Sequence, residues 1–174
     1  NIETDHVLIL GIGSADPQGF DFQPDDQIGG SVGISGKPSG AEIAYCRVHD
    51  TGFAGLFLKG DDLSSDPSTW RENFEMTGLK IHHNVIENTG GEGMYIGTTS
   101  PPASHAGQIR LPHLITGLEI YDNVLNNLGW DGIQASRCPG HKIYRNQITN
   151  YGLENQSGQN KGIAIANEST GECC

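Results

Sequence analysis

Residues 78–97 read GLKIHHNVIENTGGEGMYIG, and the chain says nearly the same thing three more times. Residues 117–135 read GLEIYDNVLNNLGWDGIQA. Residues 140–149 read GHKIYRNQIT and finish, after an insertion, in Gly162-Ile163-Ala164-Ile165, while an earlier copy at 41–59 reads AEIAYCRVHDTGFAGLFLK. Aligned, Ile43, Ile81, Ile120 and Ile143 share one column and Val48, Ile86, Leu125 and Ile148 another, with Cys46, Asn84, Asn123 and Asn146 at the turn between them. Gly55, Gly93, Gly132 and Gly162 fill a further column. The first isoleucines lie 38, 39 and 23 residues apart, so a minimal unit carries insertions at fixed places. Self-similarity of that kind marks a stacked array.

The pattern inside each unit is short and alternating. Leu79, Ile81, Ile86, Met94 and Ile96 are apolar, with Lys80, His82, Glu87 and Tyr95 between them or beside the turns, and Gly and Asn punctuate the runs. Period two over four to six residues is a strand signal. Each unit therefore holds three short strands and one apolar face too small to bury alone, so units stack through parallel ladders, as in a parallel β-helix. The asparagine column fits this arrangement. A tight bend favours a residue tolerant of left-handed backbone, and stacked side-chain amides can bond to one another from coil to coil. Cys46 interrupts that ladder at the first copy, which predicts a weaker turn there.

The N-x-(I/L)-x-N turn at residues 84–88, 123–127 and 146–150, the later glycine and the three-strand unit resemble the right-handed parallel β-helix repeat of the pectate-lyase-like (pectin lyase fold) superfamily. The likeness is clear over 41–166 and loose over 7–34. It implies an all-β fold, a right-handed parallel β-helix of about four to five coils. On this reading residues 1–174 form one domain, with a degenerate first coil at 5–38 and clear repeats at 39–174. The superfamily holds polysaccharide lyases, glycoside hydrolases, epimerases, tailspikes and adhesins without catalysis, so the fold leaves activity open. In its carbohydrate-active members the ligand groove runs along the third strand, which implies that location here.

A net charge of −11 argues against nucleic-acid partners and anionic membranes, whose binding needs a basic face. No apolar run reaches the roughly 18 residues of a membrane span. The chain opens at Asn1 and stops at Glu172-Cys173-Cys174, where another coil would begin, and is expected to be a piece of something longer whose partners include further coils of the same chain. Cys138 and Cys173 or Cys174 follow the same strand in adjacent coils, so one bridge between coils is open to them. With the fold, this favours an extracellular or cell-surface location. Asn155-Gln156-Ser157 and Asn167-Glu168-Ser169 match the glycosylation acceptor, which matters only in a eukaryotic source.

Along the chain, Asn1–Thr4 reads as a lead-in, His6–Leu10 as a strand with Val7 and Ile9 inward, and Gly11–Ser31 as a loop. The long insertions, 60–77 and 97–116, follow the third strand of their coils, and a shorter one at 153–161 falls at that strand's other end. Insertions gathered on one face often mark the binding face. Alternation turns Leu56, Leu58, Met94, Ile96, Ile133, Ala135, Ile163 and Ile165 inward and Phe57, Lys59, Tyr95, Gln134, Ser136 and Ala164 outward. Candidate ligand-binding residues are therefore Phe57, Tyr95, Trp130, Asp131 and Gln134.

Glu92 and Asp131 share a column in successive coils, at a ladder spacing of about 4.8 Å. Such a pair suits a retaining glycosidase or a Ca²⁺ ion as cofactor, and an acidic residue before glycine is equally an ordinary exposed turn. Phe57 and Tyr95 with Trp130 could form a platform for sugar faces, or be packed under Trp70 and the stretch Leu111–Ile115. A lyase acting on a uronic-acid polymer needs a cation and a base, for which the insertions offer Arg71, Glu72, His105, Arg110 and His113. Catalytic candidates are thus Glu92, Asp131, Arg110 and His113. No familiar lyase or polygalacturonase spacing is present, and Phe57, Tyr95 and Gln134 stand where lyases commonly carry charge.

Glu42, Lys80, Glu119 and Lys142 alternate in sign from coil to coil on the outer side of the first strand, a structural device. His82, Tyr121 and Tyr144 beside them read as surface packing, and His82-His83 is a weak metal signal without a third ligand in its column. The leading expectation is an extracellular module presenting a carbohydrate-contacting or adhesive face to a polysaccharide or surface glycan. The alternatives are a polysaccharide lyase or glycoside hydrolase with its site between loops 60–77 and 97–116, and a purely structural stalk.

Overall fold

The computed structural model describes residues 8–10, 21–22, 32–34, 37, 39–60, 67–105 and 107–174. The expected lead-in, the loop at 11–31 apart from its two strand residues, and the inward setting of Val7 and Ile9 lie outside what is described. Three sheets organise the rest, each parallel throughout. The first contains Leu8–Leu10, Glu42–Ala44, Lys80–His82, Glu119–Tyr121, Pro139–Tyr144 and Thr170–Cys173. The second contains Asp21–Phe22, Arg47–Thr51, Val85–Thr89, Val124–Leu128 and Gln147–Thr149. The third contains Val32–Ile34, Leu56–Leu58, Met94–Ile96, Ile133–Ser136 and Ile163–Ala166. The chain visits the sheets in the same order at every repeat, one strand in each.

Register follows the sequence columns. Ile43 pairs with Ile81, Ile81 with Ile120 and Ile120 with Ile143 in the first sheet, and Val48, Ile86, Leu125 and Ile148 line up in the second. Leu56, Met94, Ile133 and Ile163 do so in the third. These residues face one another in a single apolar core, where Ile81, Ile86, Met94, Ile120, Leu125 and Ile133 are wholly buried. Each such side chain contributes roughly 1.5–3 kcal/mol of transfer free energy. A slip of one residue would turn a whole column to solvent, so the register is strongly specified. The glycine column is a matter of close approach: a Cβ on Gly93 would stand 2.7 Å from the Gly132 carbonyl oxygen and 2.7 Å from the Leu125 side chain.

The asparagines form the expected ladder. Asn84 Nδ2 donates to Asn123 Oδ1 at 2.9 Å, and Asn123 Nδ2 donates to Asn146 Oδ1 at 2.9 Å. Each Oδ1 also accepts the backbone N–H of the repeat before it: Cys46 to Asn84, Asn84 to Asn123 and Asn123 to Asn146, at 3.0, 3.0 and 3.1 Å. Cys46 thus keeps its backbone bond and loses the amide link, and its thiol donates to the Ala44 carbonyl at 3.3 Å.

Asparagine does not itself take the left-handed conformation expected of it at this bend. The left-handed residues are the ones before it, Tyr45, His83, Asp122 and Arg145, with φ of 57, 53, 54 and 53°. Asparagine is there for its hydrogen bonds. A second left-handed column, Asp50, Asn88, Asn127 and Asn150, ends the second strand, where the Asp and Asn types do match the conformation.

The insertions are more ordered than loops. Met76–Thr77 pairs in parallel with Ile115–Thr116 just ahead of the first-sheet strands, so each repeat begins two residues earlier than the Gly78 and Gly117 that open its visible motif. Ala103–His105 and Gln108–Arg110 make an antiparallel hairpin, and Pro67–Thr69 is one turn of 3₁₀ helix. Cys138, Cys173 and Cys174 are free thiols, so the bridge left open between Cys138 and Cys173 or Cys174 is not formed. Cys138 donates to the Ser136 carbonyl at 3.2 Å, and burial pushes its pKa up to about 12. Among the described residues no helix is long and apolar enough to cross a membrane.

Candidate functional site

The third sheet carries the candidate surface. Leu56 and Leu58, Met94 and Ile96, and Ile133 and Ala135 point into the core, which leaves Phe57 and Tyr95 half-buried on the outer side. Their rings stack, 5.2 Å between centroids and 27° between planes. Phe53 joins them at 5.9 Å from Phe57 and 6.1 Å from Tyr95, and meets Trp130 edge-on at 5.6 Å. Sequence reasoning missed Phe53. Its column reads Phe53, Gly91, Trp130, and a Cβ on Gly91 would lie 2.8 Å from the Phe53 ring. The absent side chain in the middle repeat lets the rings above and below come together, and that large, small, large column was the available signal.

The four rings cover one another, each half-buried, and form a continuous outer patch. Lys59 Nζ lies 5.5 Å from the Phe57 centroid, and the Tyr95 hydroxyl hydrogen-bonds the Thr99 hydroxyl at 2.9 Å. Trp70, one of the covers expected for this patch, is buried with the Arg110 guanidinium 5.5 Å from its ring.

Two residues read as outward are not exposed. Gln134 is only 4% exposed, with its Nε2 lacking any partner, and Ser136 is fully buried. The Ser136 hydroxyl donates to the Thr98 carbonyl at 2.6 Å and accepts from Asn167 Nδ2 at 2.9 Å. The start of the 97–116 insertion and the turn after the next strand thus close over the end of this strand. Ile165, assigned inward, is 41% exposed because its strand is the last of the sheet.

Glu92 and Asp131 are neighbours in the stack and both are buried, not at a solvent-facing turn. Asp131 acts structurally, its Oδ1 accepting the Lys161 backbone N–H at 2.7 Å. Glu92 makes no such bond. Among the described residues neither carboxyl oxygen has a hydrogen-bond partner. Burial pushes its pKa up to about 7, its own backbone N–H pulls it down, and the Asp131 charge pushes it up. Among the described residues no three His, Cys, Asp or Glu side chains converge to hold a metal ion, so the Ca²⁺ reading of this pair finds two carboxylates and no third.

Arg110 and His113 belong to the insertions. His113 is buried against Phe74 at 5.0 Å; its Nε2 accepts the Gly60 N–H at 2.9 Å and its Nδ1–H donates to the Leu114 carbonyl at 3.1 Å. Both ring nitrogens are engaged. Arg71 spans the insertions, donating to the Pro112 carbonyl at 2.7 Å and to both Glu168 oxygens at 2.6 and 3.0 Å, which holds that carboxyl below its ordinary range. Glu72 is exposed, and the His105 side chain lies outside the described residues. The structure therefore gathers Phe57, Tyr95 and Trp130, sets Glu92 beside Asp131, and uses Arg71 and His113 to fasten the insertions.

No family model, curated protein or solved structure matches this chain. What the arrangement can do chemically follows from its own side chains: a half-buried patch of four aromatic rings offers flat apolar faces with a phenol hydroxyl and an ammonium at its margin.

Proposed function

We propose that the three sheets wind as a right-handed parallel β-helix of the pectate-lyase-like kind, and that the outer face of the third sheet binds a polysaccharide or surface glycan outside the cell. The single observation that carries the reading is the Phe53–Phe57–Tyr95–Trp130 patch. Pyranose rings present C–H faces that match aromatic faces, while the Tyr95 hydroxyl and Lys59 can meet sugar hydroxyls. A net charge of −11 repels a polyuronate, so a neutral glycan is the preferred class.

Catalysis is the weaker reading. A raised carboxyl beside a second one resembles an acid and nucleophile pair, yet both side chains are buried. His113, with both nitrogens engaged, is poorly placed to take a proton. Retention on neutral and acidic polysaccharides in affinity gels tests the binding reading. Tyr95→Ala together with Trp130→Ala should weaken binding of a neutral glycan roughly five- to a hundred-and-fiftyfold, at about 0.5–1.5 kcal/mol per stacked ring, with circular dichroism unchanged. Charge reversal at Lys80 and Glu119 on the first sheet should leave it intact. Binding that survives the first pair of changes and is lost with the second would place the ligand on the other sheet. Release of unsaturated products or reducing ends would favour the enzyme.

A further inference from the structure

The first sheet carries a second cluster, on the outer side of a different face. His82 Nδ1 and His83 Nδ1 face each other at 2.9 Å. Behind His82, the Glu42 carboxylate accepts from Nε2–H at 2.8 Å. Behind His83, Asp122 Oδ2 lies 3.8 Å from Nε2. Asp122 is kept ionised by the Arg145 guanidinium, which donates to its two oxygens at 2.7 and 2.5 Å. Glu42 fixes the His82 proton on Nε2, so His82 presents a lone pair at Nδ1. His83 Nδ1 faces that lone pair at 2.9 Å, either as an N–H donor or, with its proton on Nε2 on the Asp122 side, as a second lone pair. The first tautomer makes an ordinary hydrogen bond between the rings; the second offers both nitrogens to one divalent cation while His82 keeps its bond to Glu42. A carboxylate behind a histidine is the usual support of a metal-bound imidazole.

Both rings are held in place. Tyr121 stacks on His82 at 4.7 Å and 12°, with Tyr144 stacked on Tyr121 at 5.1 Å and 5°. Tyr45 stacks on His83 at 4.9 Å and 26°. His83 takes the left-handed conformation at φ 53°, which swings its ring back toward that of its neighbour, 5.0 Å away and nearly perpendicular.

We infer that His82 and His83 form a two-nitrogen site for a divalent transition ion of the Cu²⁺ or Ni²⁺ class. The bite distance selects the class. Two metal–nitrogen bonds of about 2.0–2.1 Å span about 2.9 Å at a right angle and about 3.3 Å at a tetrahedral one, and right angles belong to tetragonal Cu²⁺ and Ni²⁺. No third side chain converges there among the described residues, so water fills the remaining positions. The site is independent of the glycan reading and lies on a different sheet.

The test is a Cu²⁺ titration followed by calorimetry and electron paramagnetic resonance, on the chain carrying Cys173→Ser and Cys174→Ser so that exposed thiols neither bind nor reduce the ion. The expected result is one tight equivalent with a two-imidazole equatorial signature. His83→Ala should lose that signature and weaken binding at least tenfold; His83 is exposed, so the fold should survive the change, as circular dichroism would check. Glu42→Gln, which leaves both ligands present, should weaken it by about tenfold, the usual effect of removing such a carboxylate. A parent protein that binds no better than His83→Ala, or that keeps its signature in that variant, overturns the site and leaves a shared proton between the rings. A Glu42→Gln variant with unchanged affinity would also overturn the proposed geometry.

Discussion

Glu92 is a carboxyl with no hydrogen-bond partner for either oxygen among the described residues, set next to the Asp131 charge. Its folded pKa of about 7 lies above the ordinary 4.5, so its neutral form is the one the fold accepts. The stability that goes with the neutral form is fully present below about pH 4.5 and is lost as pH rises through 7. A shift of this size is worth about 3 kcal/mol. Urea denaturation of the wild type and of Glu92→Gln should therefore give similar stabilities at pH 5, and at pH 8 the variant should be more stable by up to about 3 kcal/mol. Parallel pH profiles for the two proteins would show that Glu92 ionises freely. The sequence column placed Glu92 beside Asp131 correctly, but their burial was not legible, because an acidic residue before a glycine also describes an exposed turn.

At the scale of the element, the asparagine ladder separates two kinds of stacked amide. Asn123 sits inside: its Nδ2 donates to Asn146 Oδ1, the Ile81 carbonyl and the Tyr121 carbonyl, and its Oδ1 accepts from Asn84. Asn127, whose Nδ2 donates to Asn88 Oδ1 at 2.7 Å, sits in the exposed column. At roughly 1 kcal/mol per bond, Asn123→Ala should cost about 4 kcal/mol and Asn127→Ala less than about 1. Equal losses in thermal melts would mean that the inner ladder adds nothing beyond an ordinary surface amide.

Strand order and register were legible because every inward position repeats its type in the next copy: isoleucine over isoleucine at 43, 81, 120 and 143 leaves one alignment. Backbone conformation was less so. The left-handed positions at Tyr45 and Arg145 hold residues with no preference for that region, so the stack imposes a conformation that local propensity would not choose. The burial of Gln134 and Ser136 was not legible either. Alternation says which way a side chain leaves its strand and nothing about what a later insertion lays over it.

For the whole molecule, the three sheets share one core but present different outer faces. The first carries a ladder in which Glu42 pairs with Lys80, Lys80 with Glu119 and Glu119 with Lys142, together with the histidine pair. The third carries the aromatic patch, next to insertions fastened by Arg71 and His113. Among the described residues only the third joins half-exposed apolar rings to ordered walls, the combination a glycan site needs. The central claim is that sugar stacks there, and Trp130 can report it directly. Trp70, the other tryptophan, is 5% exposed against Arg110, so Trp70→Phe should keep the fold and leave Trp130 as the sole indole emitter. Titrating that variant with a neutral oligosaccharide retained by the wild type should shift Trp130 emission to the blue and saturate in step with the bound fraction. Binding that leaves Trp130 emission unchanged, or the absence of any retained neutral glycan, would contradict the account.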